Sequence, residues 1–204
     1  MSVITSTRER ILFAASELFR RQGFAATGLK SILAASDAPY GSLYHFFPGG
    51  KEELGVAVLE AGGAVYRELV AQFFVPDGNV VKATSDFFEG AAVMIAETDY
   101  ADACPIATIA LETASTSEPM RRASAAAFES WLEVLTHRMT EAGIPRRRSR
   151  ELAVELFCAI EGAFLLCRAT RSPEPLRVAG RAATDSVRQA RDKALARGST
   201  RRTS

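Results

Sequence analysis

The chain has 204 residues, 48% hydrophobic and 24% charged, which sustains one large or two small folded domains and excludes a chain disordered throughout. No apolar run approaches the roughly 20 residues that cross a bilayer, and the opening MSVITSTRERIL lacks the order of a signal peptide, so a cytoplasmic protein with no membrane partner is expected. The net charge is only +1, but it is unevenly spread: through Lys51 six basic residues face three acidic ones, and from Arg188 onward six face one, leaving the middle net acidic.

Residues 1–5 carry no pattern and are expected to be loose. From Ser6 or Thr7 the spacing predicts a helix, with Ile11, Ala15, Leu18 and Gln22 on one stripe and Leu12 and Phe19 beside it. Gly23 ends it as a C′ glycine, and Phe24 returns to the core. Thr27 stands where a capping residue would open a second helix. Leu29, Ile32 and Leu33 form its inward face, with Lys30 and Ser31 outward. Gly28, in its first turn, either allows close backbone approach to a phosphate or is simply tolerated there. Asp37 and Pro39 mark a turn and a restart, since proline suits a first helical turn. In the third helix Leu43 and Phe47 point inward, leaving Tyr40, Ser42, Tyr44 and His45 for solvent or a partner. Pro48-Gly49-Gly50 closes the unit and Lys51 begins the next helix.

A helix, a tight turn and a second helix is the arrangement that sets one exposed helix in the major groove of double-stranded DNA. A basic head on an acidic body fits a DNA contact joined to a sensing domain. The basic end of the chain reads equally as a solvated, frayed tail. Thr27, Tyr44 and Lys51, hydroxyls and an ammonium near helix ends, are the candidate phosphate contacts, with Gly28, Lys30 and Pro39 beside them. Tyr40, Gly41, Ser42 and His45 are the candidates for reading base edges. The plainer readings are a Tyr44 packed into the head, an unpartnered surface His45 and a solvated Lys51.

The Gly23-Phe24 helix end, Thr27, Ile32 and the block Leu43-Tyr44-His45-Phe46-Phe47 followed by Lys51-Glu52-Glu53-Leu54 resemble the N-terminal domain of the TetR/AcrR family of bacterial transcriptional repressors. The form Phe-Pro-Gly-Gly-Lys-Glu-Glu-Leu, with an extra glycine before the lysine, resembles the LmrA/YxaF-like branch. The matched positions cover a fifth to a quarter of the chain. Pro39-Tyr40-Gly41 departs from the family, many of whose members carry a polar pair before the glycine, and this puts in doubt which bases are read.

The body is helical by pattern. Glu52 to about Phe74 carries Leu54, Val58, Ala61, Val65 and Leu69, with Gly62-Gly63 marking a bend or a close contact. After the Val75–Gly78 turn, a helix from Asn79 to about Thr98 aligns Val80, Thr84, Phe87, Ala91 and Ile95. A polar turn at 99–103 leads to a short helix from Cys104-Pro105 to about Ala114. A helix over 118–142 follows, with Ala127, Trp131, Leu135 and Met139 in line. Arg146-Arg147-Arg148 is expected as a solvated loop, because positive charge at a helix start opposes the dipole. Ser149 to about Arg171 is a strongly apolar helix, and about Pro175 to Ala196 an alanine-rich one. Residues 197–204 are expected as a flexible basic tail. No strand pattern or repeat is found. The fold class is therefore all-α, with a helix-turn-helix domain over 1–51 and a helical domain over 52–196.

The family resemblance implies three helices in the head, six in the body, and a homodimer in which the last two long helices pair with their copies. Leu152, Leu156, Ile160, Ala179, Ala183, Val187 and Ala190 are the residues expected at that interface. The apolar 149–171 helix, with more than one greasy face, supports this independently. A small-molecule effector is expected in the body, where bundles keep their sites. Phe73, Phe87, Phe88, Met94, Ile106, Phe128, Trp131, Leu135, Phe157 and Phe164 are available to line it, many as ordinary core. Glu112, Glu161 and Arg168 lie in or beside apolar stretches, where an inward charge needs a partner.

The expected function is a ligand-responsive transcriptional regulator that binds a palindromic operator as a dimer. A helical protein-interaction module without DNA binding is the alternative. An enzyme is disfavoured: there is no metal-spaced His/Cys set, no phosphate-binding glycine loop and no Gly-x-Ser-x-Gly elbow. No metal or cofactor is expected. Cys104, Cys158 and Cys167 read as reduced, mostly buried thiols, with Cys104 beside His137 the one nucleophile pair to consider.

Overall fold

Ser6 opens the first helix. Its hydroxyl accepts from the Glu9 N–H (3.2 Å) while its own N–H donates to the Glu9 carboxylate (3.1 Å), a reciprocal capping box. From there the computed structural model describes the backbone of residues 6–101 and 104–202, and side chains through residue 196. The expected loose start at 1–5, residues 102–103 of the 99–103 turn, and the side chains of the 197–204 tail lie outside the described residues.

Among the described residues nine helices and no strand are found: α1 (Thr7–Gln22), α2 (Leu29–Ser36), α3 (Tyr40–Phe46), α4 (Gly50–Phe73), α5 (Val80–Glu97), α6 (Pro105–Thr113), α7 (Glu118–Glu141), α8 (Arg146–Thr170) and α9 (Glu174–Arg202). The all-α expectation holds. The helix expected to stop near Ala196 continues its backbone to Arg202. The chain forms two compact units, Met1–Val65 with Ala103–Phe128, and Tyr66–Asp102 with Glu129–Ser204, whose boundaries fall inside α4 and α7.

In the first unit, Ile11, Ala15 and Phe19 of α1 are fully buried at four-residue spacing, with Ala14 beside them. Gln22, placed on that stripe from sequence, is exposed and Leu18 only half-buried; Phe19 takes the inward position because it offers more apolar area. Ile32, Leu43, Phe47, Leu54, Leu59, Ile106, Ile109 and Met120 complete this core. Each large side chain so buried contributes about 1.5–3 kcal/mol relative to exposure. The inward face of α4 follows the expected one only in its first turns. Leu54 and Val58 are buried as expected, together with Leu59 and Gly63, whereas Ala61, Val65 and Leu69 are exposed. Gly63 explains the rotation: a methyl there would stand 2.8 Å from the Ala127 Cβ. The glycine pair therefore marks close approach to α7, and α4 runs through it unbroken.

In the second unit, α5 and α8 each pack along α9. The core includes Phe74, Phe87, Phe88, Ile95, Leu135, Met139, Leu152, Leu156, Ile160, Leu176 and Val187. Gly180 of α9 lets the helices close, since a Cβ there would come within 2.6 Å of the Phe88 Cβ. The residues expected at a dimer interface contribute to this core. Leu152, Leu156, Ile160 and Val187 are buried within this unit, and Ala179, Ala183 and Ala190 pack against the same core. The strongest apolar stripe of α8 thus lies in the core of its own unit, and a second apolar stripe of the helix faces outward. There, Val154 and Leu165 are 41% and 68% exposed on a stripe with Cys158 and Gly162, with Leu166 beside it. Val178 and Ala182 are the exposed counterparts on α9.

Arg146-Arg147-Arg148 is the first turn of α8, where a loop was expected. The unfavourable charge is met by carboxylates: Arg146 pairs with Glu133 (3.3 Å), Arg147 with Glu151 (3.1 Å), and Arg148 with Glu155 (2.7 Å) and Glu151 (3.2 Å). No described helix is long and apolar enough to cross a membrane.

Candidate nucleic-acid interface

The turn between α2 and α3 decides which way α3 faces. Asp37 closes α2 in the left-handed region (φ 48°, ψ 46°), which a short polar residue tolerates. Ala38 N–H bonds back to the Leu33 carbonyl at 3.2 Å. Pro39 stands just ahead of α3 in extended conformation, at the N-cap. From α1, the Arg10 guanidinium donates to the Asp37 carbonyl (3.2 Å), and Arg8 lies over the Phe47 ring at 5.3 Å. The sequence reading missed both arginines as positioning groups. Arg10 is 27 residues from Asp37, and no local spacing connects them.

With Leu43 and Phe47 fully inward, α3 turns Tyr40, Gly41, Tyr44 and His45 outward. Tyr40 and Tyr44 are 63% and 49% exposed, with ring centroids 6.2 Å apart. Two large aromatics left in water on a seven-residue helix form an uncommon exposed pair. Gly41 has nothing within 4 Å of a would-be Cβ, so the backbone there is open to close approach. Ser42 is half-buried. Lys30 and Pro39 are exposed, and Lys30 borders a groove shared with Leu33, Ala34, Asp37, Ala38 and Tyr40.

The preceding turn, from Gly23 to Gly28, changes two expected roles. Thr27 does not cap α2. The residue is buried and donates to the Gly23 carbonyl at 2.7 Å, because that carbonyl would otherwise be left unbonded in the core. Gly28 takes the N-cap position, with no side-chain cap on the N–H groups of α2. Lys51 is half-buried. Its ammonium donates to the Ala25 carbonyl (3.3 Å) and lies 4.5 Å from the centroid of the Phe24 ring. Burial pushes its pKa down, and the Glu112 charge opposes that fall. Glu112, on α6, accepts the N–H groups of Phe24 (3.1 Å) and Ala25 (2.7 Å). Its partner is thus the head backbone, a partner that the sequence left unassigned.

The residues expected around an effector fall into two groups. Ile106 and Phe128 belong to the first unit; Phe73, Phe87, Phe88, Met94, Trp131, Leu135, Phe157, Glu161 and Phe164 belong to the second. Ile106, Phe88 and Leu135 are fully buried core. Phe87 touches Phe73, Phe74 and Phe88 edge-on, at 5.4, 6.0 and 6.3 Å. Trp131 stacks on Phe157 (5.5 Å, 25°) and has Tyr66 at 5.8 Å on a tilted ring. Tyr66, Phe157 and Glu161 are only partly buried. Arg168 is exposed on α8.

The cysteines are free. Cys104 and Cys167 are buried and Cys158 is exposed. The Cys104 sulfur accepts the Ala107 N–H at 3.4 Å as the α6 cap, and His137 is exposed and bonded to Glu141 at 3.1 Å. Each side of the considered nucleophile pair thus has a local structural role.

Comparison with known proteins bears on this geometry. Residues 11–58 match the family model for bacterial regulatory proteins of the tetR family, and residues 80–182 match that for the transcriptional regulator LmrA/YxaF-like C-terminal domain. The HTH-type transcriptional regulator YxaF of Bacillus subtilis is 36% identical over 83% of this chain and 89% of its own length. The regulator LmrA of the same organism is 32% identical over 83% and 90%. Among solved structures, the regulatory protein TetR from Rhodobacter sphaeroides superposes with a TM-score of 0.78 at 23% identity, over 89% of this chain and 99% of that one.

Proposed function

Since the chain belongs to the TetR family of transcriptional regulators and carries an LmrA/YxaF-like C-terminal domain, we propose that it is a cytoplasmic, non-enzymatic, ligand-responsive repressor that binds a palindromic operator as a homodimer. The observation that carries the DNA reading is the outward face of α3. Tyr40, Gly41, Tyr44 and His45 are exposed together, while Leu43 of the same helix and Phe47 just after it are fully buried. Tyr40 offers a ring to a thymine methyl and a hydroxyl to a polar base edge. In this reading Lys30 and the uncapped N–H groups after Gly28 meet phosphates. Thr27 leaves the set of side-chain contacts, and Lys51 acts by holding the turn. Two heads on a two-fold axis meet half-sites roughly 34–36 Å apart, one turn of DNA.

The exposed faces of α8 and α9, with Val154, Cys158, Leu165, Leu166, Val178 and Ala182, support dimerisation. For the effector, the Tyr66–Trp131–Phe157 aromatic group favours a small, largely apolar molecule. Binding it releases DNA only if it binds the DNA-incompetent state more tightly.

Two substitutions test the DNA reading. Tyr40→Ala relaxes base preference in a binding-site selection, each good contact being worth roughly 1–3 kcal/mol. Lys30→Ala weakens binding to all sequences and lowers the salt slope by about one. An unchanged selection profile for the first and an unchanged slope for the second would remove both residues from the interface.

A further inference from the structure

Glu112 makes a contact that the DNA reading leaves unused. It sits in the last turn of α6, where a negative charge opposes the helix dipole. Its two carboxylate oxygens take the N–H groups of consecutive residues, Phe24 and Ala25, at 3.1 and 2.7 Å. Adjacent backbone N–H groups converging on one anion form a nest. Gly23 makes room for it: the residue is at φ +84°, and a Cβ there would overlap the Glu112 Oε1.

The rest of the turn is held as completely. Thr27 N–H donates to the Phe24 carbonyl (3.2 Å) and the Thr27 hydroxyl to the Gly23 carbonyl (2.7 Å). Lys51, from α4, donates to the Ala25 carbonyl at 3.3 Å. Of these groups, only Glu112 comes from outside the segment matched by the N-terminal family model; it lies in the segment matched by the C-terminal one. The turn leads directly into Gly28 and the first turn of α2.

We propose that Glu112 is a positioning residue for DNA binding: its carboxylate, held in the Phe24–Ala25 nest, sets the α1–α2 turn and with it the start of α2 and the outward α3. The proposal rests on the DNA-binding reading above. It predicts that the head is incompletely ordered for DNA without a carboxylate from α6. A glutamine cannot replace it, because its NH2 group would face one of the two N–H donors that the carboxylate oxygens accept separately.

The test uses the full chain, the Glu112→Gln variant, and a duplex from the chain's own upstream region. Glu112 is exposed, so the variant keeps its fold, which circular dichroism checks. The amide resonances of Phe24 and Ala25 in 1H–15N spectra move upfield in the variant while those of α5, α8 and α9 stay in place. Affinity for the duplex falls about tenfold, the order expected when charge-assisted hydrogen bonds are lost, while the salt slope is unchanged because no phosphate contact is removed. If wild type binds and the variant binds equally well, or if the two amides do not move, the positioning role is overturned and the DNA reading stands. If wild type itself shows no preference for the duplex, the DNA reading fails and the proposal falls with it.

Discussion

Glu118 shows how a single side chain in this molecule responds to pH. Its carboxylate accepts from Arg121 Nε (2.6 Å) and Nη2 (2.7 Å) and from Arg122 Nε (2.8 Å). These bonds, Arg121 first, hold its pKa at about 2 against an ordinary 4.5. A carboxylate with a depressed folded pKa contributes stability above its unfolded value and loses it as pH falls through the folded one. The first turn of α7 is therefore expected to loosen between about pH 4.5 and about pH 2. A carbonyl-detected NMR titration of Glu118 should give a midpoint near the lower figure; an ordinary midpoint would show that the arginines do not hold it. At this scale the sequence was readable where a residue acts through its neighbours, as with Gly23 at the end of α1. It was least readable where the partner is distant. Glu112 read only as a charge in need of some partner, because its actual partners, the N–H groups of Phe24 and Ala25, lie 88 and 87 residues away. Thr27 looked like a cap because capping and burial draw on the same residue type.

Helices are the scale at which sequence pattern says most, since period and punctuation are local. The ends of α1, the proline before α3 and the turn after α4 all follow from residues in place. Rotation about the helix axis does not follow so simply. The inward face of α4 is set by Gly63 and by Gly55, where a Cβ would come within 2.7 Å of the Met120 Cε, whereas pattern counting assigns an inward face by apolar area. Substitutions separate the two roles of glycine. Gly63→Ala forces a methyl to within 2.8 Å of the Ala127 Cβ and should cost about 1–3 kcal/mol in chemical denaturation, as overpacking does. Gly41→Ala meets nothing within 4 Å and should leave stability equal or higher by up to about 1 kcal/mol from helix propensity, while weakening DNA binding. Equal stability for Gly63→Ala would contradict the close α4–α7 contact. The arginine run at the start of α8 was unreadable for a related reason. The dipole argument is sound for that turn alone, but Glu133, Glu151 and Glu155 supply the opposing charge.

For the whole molecule, the family and the all-α architecture were legible in a motif covering a quarter of the chain or less, because many positions match in register. Which apolar face of α8 is turned outward was not. The apolar stripe of α8 that suggested an interface, Leu152-Leu156-Ile160, is buried against α9 of the same chain, and sequence alone does not say which of two greasy faces is taken within the protomer. The exposed stripe predicts the outcome of a single change: Leu165→Glu, at a position 68% exposed, should leave thermal stability of the fold intact. Sedimentation should then show a monomer, and operator affinity should fall steeply because two half-sites are no longer bound together. A dimer that persists in this variant would place the interface elsewhere. The account as a whole stands on recognition of a specific duplex. Its most direct test is competition at moderate salt between the chain's own upstream region and random duplex of equal length, since sequence-independent binding weakens steeply with salt. The account predicts that the upstream duplex wins and that protection spans two half-sites related by a two-fold axis; equal competition by random duplex would contradict it.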